Sequence, residues 1–249
     1  MTYSVTPLHC GTLRFDKSIL TTQVDSGVTI DTPSICYLIE GKGGPILVDT
    51  SFGDVDLMAE FHPSFNCSRP NGHTVVERLG THGYAPTDIE TVILSHLHWD
   101  HCYNLDQFEH ATIYVQRNEL EYAIAPYPMH AGGYDAKSLG RTPPWLSIEL
   151  TPLNGEVELL PGVTVFPTPG HTVGHQSVGV DTGDKTTIIA ADAIPTNENI
   201  AGTDTSPFIR GLSINDFDWW HSAEEIVERG DVILPGHEWA ILNETQPSA

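Results

Sequence analysis

His96-Leu97-His98-Trp99-Asp100-His101 constrains this chain more than any other stretch. Three imidazoles and one carboxylate sit within six residues. They follow an apolar, β-branched run, Thr91-Val92-Ile93-Leu94, which reads as a buried strand ending at Ser95. Groups of this kind are costly to bury without partners and pack poorly. A divalent cation supplies the partner, because imidazole and carboxylate are good zinc ligands. Any fold of this chain must end that strand where further ligands can gather.

Three other segments supply them. Val163-Thr164-Val165-Phe166 leads through Pro167-Thr168-Pro169-Gly170 to His171. Thr187-Ile188-Ile189-Ala190-Ala191 leads to Asp192, and Asp231-Val232-Ile233-Leu234-Pro235-Gly236 leads to His237. Each is an apolar strand followed by one ligand-type residue. Convergence of these strand ends assembles His96, His98, Asp100, His101, His171, Asp192 and His237. Seven ligands are too many for one tetrahedral zinc with an open position. They suit two metals sharing one carboxylate. The expected cofactor is a pair of Zn2+ ions, with other divalent metals as alternatives.

The order HxHxDH, then Thr-Pro-Gly-His-Thr with Gly174-His175, then Asp192, then Pro235-Gly236-His237, resembles the metallo-β-lactamase superfamily. Ile46-Leu47-Val48-Asp49-Thr50 is similar to the early strand and aspartate of that family. The resemblance implies that His96, His98 and His171 bind one metal, that Asp100, His101 and His237 bind the other, and that Asp192 bridges. It also implies an α/β fold, a four-layer αββα sandwich, as one domain over residues 1–249. Within the superfamily the spacing most resembles the lactonases that open N-acyl homoserine lactones. What it implies is hydrolysis of a cyclic ester, a quorum-quenching activity, by a hydroxide held between two metals. Asp100 then acts as both ligand and proton shuttle. No Gly-x-Ser-x-Gly elbow is present for a serine hydrolase. One position departs from the acyl homoserine lactonases. They carry a Tyr donor three residues after the bridging Asp, and here that residue is Pro195.

Other branches remain as alternatives. A phosphotriesterase, or another ester or thioester hydrolase of the superfamily, uses the same metal set. A mononuclear-iron persulfide dioxygenase also keeps HxHxDH. The 12 residues after His237 leave no room for the helical domain of a glyoxalase II, and Asp192 counts against a common class of dedicated β-lactamase.

The net charge of −22 argues against a nucleic-acid partner, whose binding rests on Lys and Arg. The acidic surface fits a high-salt habitat or an ordinary acidic protein. No run of about 18 apolar residues exists, and the N-terminus lacks the basic start and apolar stretch of a secretory signal. Four scattered cysteines, without a CxxC pair, read as buried thiols. The expectation is a cytoplasmic enzyme acting on a small-molecule lactone or ester, away from membranes. A homodimer stays open.

Residues 12–50 read as a β-meander, with a hairpin closed by Gly41–Gly44. Thr74 to Gly80 and Arg117 to Ala125 have helical spacing. Strands are expected near 156–160, 163–166, 176–181 and 186–191, and a helix from a Ser213 cap to Arg229. Residues 126–147 mix loop formers with Tyr127, Tyr134 and Trp145. They are expected to form an insertion over the site mouth, with Tyr134 and Trp145 against substrate. A surface loop pinned by its aromatics, or a self-association surface, is the alternative.

Overall fold

The computed structural model describes residues 2–242; the termini of the expected 1–249 domain lie outside them. The first sheet has six strands: β1 (Ser4–Asp16), β2 (Thr29–Glu40), β3 (Ile46–Val48), β4 (Thr91–Ile93), β5 (Thr112–Gln116) and β6 (Leu150–Leu153), in that order. β1, β2 and β3 pair antiparallel, and β3 to β6 run parallel. The second sheet has five strands: β7 (Val157–Leu160), β8 (Val163–Pro167), β9 (Gln176–Asp181), β10 (Thr186–Ala191) and β11 (Val232–Pro235). β7 to β10 pair antiparallel, and β11 is parallel to β10.

Strand residues alternate between faces, so a strand apolar at every position is covered on both sides. Ile35, Tyr37 and Ile39 of β2, Val48 of β3 and Ile93 of β4 pack with Val163 and Val165 of β8, Val178 and Val180 of β9 and Ile189 of β10. These residues form the core between the sheets. The intervening Cys36, Leu38, Leu47 and Val92 turn outward, toward Val75 and Leu79 of α2 (Val75–Thr81). Ala123 of α3 (Arg117–Ile124) lies in that same outer core. On the far side, Phe166, Ile188 and Ala190 pack with Trp219, Ala223 and Ile226 of α5 (Asp216–Arg229). Helix, sheet, sheet and helix thus make the expected αββα sandwich. Two short helices, α1 (Val55–Phe61) and α4 (Asn197–Ala201), flank the loops.

Local chemistry sets the helix ends. Thr74 and Glu77 form a reciprocal capping box at the start of α2. At α5 the expected cap is corrected. Asn215, not Ser213, holds the cap, and its side chain accepts from Phe217 N at 3.1 Å and Asp218 N at 3.3 Å. Ser213 instead donates to the Asp216 carboxylate at 2.7 Å. A cap must immediately precede the first helical residue with an extended backbone, and Asn215 does so (φ −146°, ψ 108°). The expected meander is present: β1 and β2 pair as one long antiparallel hairpin, with its register shifting between His9 and Thr12, and β3 follows antiparallel to β2 after the Gly41–Gly44 turn.

β3 and β4 run parallel in one sheet, and β8, β10 and β11 share a direction in the other. Their C-terminal ends gather at one edge of the sandwich. Bonds between the sheets fasten that edge: Gln176 N donates to Ser95 O at 2.9 Å, and Thr32 Oγ1 to His237 O at 2.8 Å.

Candidate metal centre

The loop after β4 carries His96, His98, Asp100 and His101; the loop after β8 carries His171; Asp192 follows β10 and His237 follows β11. All seven are brought together. Donor atoms within 4.8 Å of one another define three overlapping sets: His96, His98 and His171; His96, His101 and Asp192; Asp100, His101 and His237. His171 Nε2 lies 3.0 Å from His98 Nδ1 and 3.4 Å from Asp192 Oδ2. Asp192 Oδ1 lies 3.4 Å from His101 Nε2 and 3.1 Å from His237 Nε2. Asp100 Oδ2 is 3.7 Å and 3.8 Å from those same two nitrogens. Asp192 therefore sits between two histidine groups.

The chemistry of these donors fits a cation. Burial pushes His96 and His98 well below the ordinary imidazole range, and their imidazole neighbours push the same way. Burial alone would raise the Asp192 pKa, but His237, His101 and His171 hold it well below the carboxylate range. Neutral imidazoles and an ionised carboxylate are what a divalent metal binds; at His101 and His237, where burial is outweighed by Asp192 and Asp100 and the pKa is raised, a cation would displace the proton. His96 Nε2, His101 Nε2 and Asp192 Oδ1 are buried without a hydrogen-bond partner. Buried polar atoms are normally satisfied, so three orphans converging on one point mark a place for an ion.

The opposite ring nitrogens are tied down. His101 Nδ1 meets Asp49 Oδ2 at 2.9 Å, His237 Nδ1 meets Pro33 O at 2.9 Å, and His171 Nδ1 meets Leu212 O at 2.8 Å. His96 Nδ1 meets Ser95 Oγ at 2.9 Å, and that hydroxyl donates to Asp49 Oδ2 at 2.7 Å. Such partners place the proton on the outer nitrogen and aim the bare one inward. Asp49 is buried and also accepts from Ser95 N at 2.7 Å. It holds a left-handed backbone (φ 61°), as do Ser51 (φ 64°) and Ala191 (φ 44°), all beside the site. Gly236 is required for a different reason: a Cβ there would collide with the Asp192 carboxylate.

The centre forms the floor of a cavity of about 510 Å3. Phe15, Ile19, Leu20, Phe65 and Trp99 make one apolar wall, which the sequence did not disclose. His62 joins it, its ring stacked on Trp99 at 4.0 Å between centroids. Met129, His130, Gly132, Gly133 and Tyr134 also line the cavity, with Gly133 O accepting from Trp99 N at 2.9 Å, and so do Pro195 and Leu212–Ile214. Tyr134 is buried, with its ring edge on His98 at 4.9 Å between centroids. Trp145 corrects the expectation made for it. It is buried in the outer core of the first sheet, away from the cavity lining. The turns Leu146 N to Pro143 O and Ile148 N to Trp145 O fold that segment onto the core, which an indole fills well.

Residues 30–237 match the metallo-β-lactamase superfamily. The chain belongs to that superfamily and is a metal-dependent hydrolase. Several proteins similar to it are N-acyl homoserine lactonases. One from Bacillus thuringiensis is 32% identical over 211 residues, spanning 81% of this chain and 79% of the relative. The N-acyl homoserine lactonase AttM of Rhizobium radiobacter is 30% identical over 184 residues, 69% and 68% of the two chains. A solved N-acyl homoserine lactone hydrolase, with N-hexanoyl-L-homoserine at its catalytic metal centre, superposes with a TM-score of 0.79. It is 27% identical and covers 96% of this chain and 95% of its own. No helix among the described residues is long and apolar enough to cross a membrane.

Proposed function

We propose that this chain opens the ring of an N-acyl homoserine lactone, or a related small lactone with an apolar tail, at a dinuclear zinc centre. The observation that carries this is two donor trios meeting at Asp192, on the floor of an apolar cavity. His96, His98 and His171 would hold one ion; Asp100, His101 and His237 the other; Asp192 would contact both. Bound divalent metals supply Lewis acidity and lower the pKa of water toward about 7.

The chain's own residues do the rest. Asp49, Pro33 O and Leu212 O keep the imidazoles in one tautomer. Asp100 is 13% exposed at its side chain, more than Asp192, His101 or His237, and lies on the cavity side of the cluster. It is placed to hand a proton to the leaving alkoxide. The wall of Phe15, Leu20, Phe65 and Trp99 excludes water and receives the tail, and Tyr134 packs its ring against His98. The lactonase relatives act on acyl homoserine lactones, which supports the same substrate class here and a quorum-quenching role.

Metal analysis of zinc-loaded protein together with proton release from γ-lactones tests the reading. Two zinc ions per chain and ring opening are expected. Strong phosphotriester turnover without lactone turnover would transfer the site to phosphotriester hydrolysis. One iron with oxygen uptake would transfer it to a dioxygenase.

A further inference from the structure

Glu119 lies on α3 and is fully buried, although a glutamate on a short helix normally faces water. Its Oε1 accepts from Leu97 N at 3.0 Å, and its Oε2 from Gly174 N at 3.0 Å. Leu97 stands between His96 and His98. Gly174 stands three residues past His171. One carboxylate thus joins the ligand loop of the first sheet to the ligand loop of the second. The hydroxyls of Thr172 and Tyr134 also face it, and Tyr134 packs on His98. The approach is close: a Cβ at Gly174 would lie 2.7 Å from Glu119 Cα. Glu119 is neither a donor of the metal cluster nor a residue of the cavity lining. Burying a carboxylate is expensive unless its bonds are made, and here they are made to the two loops that hold the metal ligands.

We propose that Glu119 is a positioning residue that fixes the distance between the His96–His98 pair and His171, and thereby sets the affinity of that trio for a divalent cation. The inference rests on the metal centre proposed above. Ligands drawn from two separate loops bind tightly only if the loops are held at the right spacing beforehand. Glu119→Gln keeps the shape and one acceptor oxygen. It turns an amide N–H2 toward either Leu97 N–H or Gly174 N–H, so two donors face each other and one loop is released.

Zinc affinities of wild type and Glu119→Gln, measured by competition with a chromophoric chelator, test this directly. The visible spectra of both cobalt-loaded proteins and their lactone kinetics complete the comparison. One of the two zinc equivalents should weaken by about 10–100-fold, as for other residues that orient metal ligands. The cobalt bands should shift, and kcat should fall with KM little changed. Glu119→Asp keeps the charge but is one methylene short of spanning both loops, so it should show the same loss to a smaller degree. It carries the comparison if the Gln variant does not fold. Unchanged affinity for both ions, with only the metal-free protein less heat-stable, would make Glu119 a packing element and overturn the proposal. If wild type opens no lactone yet the Glu119 variants still lose zinc affinity, the substrate reading fails and the positioning role stands.

Discussion

Asp49→Asn isolates the part of this site that orients ligands without touching substrate. The Asp49 carboxylate takes three bonds: Ser95 N on Oδ1, and Ser95 Oγ and His101 Nδ1 on Oδ2. Asparagine suits the left-handed backbone at this position (φ 61°), so the fold should tolerate it. It offers one acceptor oxygen where the aspartate offers two. If that oxygen stays on Ser95 N, the amide N–H2 points at His101 Nδ1, which can answer only by giving up its proton. The proton then moves to Nε2, the nitrogen that faces Asp192 and Asp100 at 3.4 and 3.7 Å. The metal-facing nitrogen is blocked in the favoured tautomer. The cost is that of forcing the tautomer back, about 1.4–2.8 kcal/mol, equivalent to the 10–100-fold losses known for such partners. The loss falls on His101 directly and, through the Ser95 hydroxyl that links Asp49 to His96 Nδ1, on the His96, His98 and His171 trio as well. Chelator competition on Asp49→Asn should therefore show both zinc equivalents weakened, with kcat falling in step. Full affinity at both sites, with unchanged kcat, would refute the tautomer argument.

Asp100→Asn removes both a metal charge and the proton-accepting carboxylate. It should cut kcat on lactones by more than the roughly 10²–10⁴ of general acid–base loss alone, with metal analysis showing one ion weakened. Pro195→Tyr places a phenol on the rim where acyl homoserine lactonases carry their donor. A Cβ at Gly211 would stand 2.8 Å from Pro195 Cγ, so the two residues already abut and a larger ring must displace that loop. Little or no gain in kcat on acyl homoserine lactones is expected. A gain approaching the about 2.7–4 kcal/mol of an oriented oxyanion donor would show that the pocket merely lacks that group. Asp135 gives a pH prediction. Burial pushes its pKa up, but hydrogen bonds from His62, Tyr103 and Arg141 outweigh this and hold it below its ordinary 3.8. The folded value lies below the unfolded one, so this stability is complete above the unfolded pKa and is lost as pH falls through the folded value. Thermal melts of Asp135→Asn should show lower stability than wild type near neutrality and a shallower acid limb; parallel curves at all pH values would remove Asp135 from the account.

The sequence by itself determined the candidate ligands. Three histidines and an aspartate in six residues, and three more ligand types each ending an apolar strand, have few uses besides a metal. The αββα layers were legible only through the family resemblance that those motifs carry, not from the period of the strands. The partners that hold the ligands were decided only by tertiary structure. Pro33 and Leu212 contribute backbone carbonyls, which every residue possesses, so no side chain betrays them. Glu119 sits in a helical segment where a glutamate ordinarily faces water, and only the approach of Leu97 and Gly174 gives it a purpose. Phe15, His62, Phe65 and Trp99 come from separate parts of the chain and become one wall through packing alone. Trp145 shows the converse: its loop context suggested a binding role, but an indole gains as much from an apolar core as from a substrate. Composition fixes what a side chain can do, while the surface it is folded against decides which of those things it does.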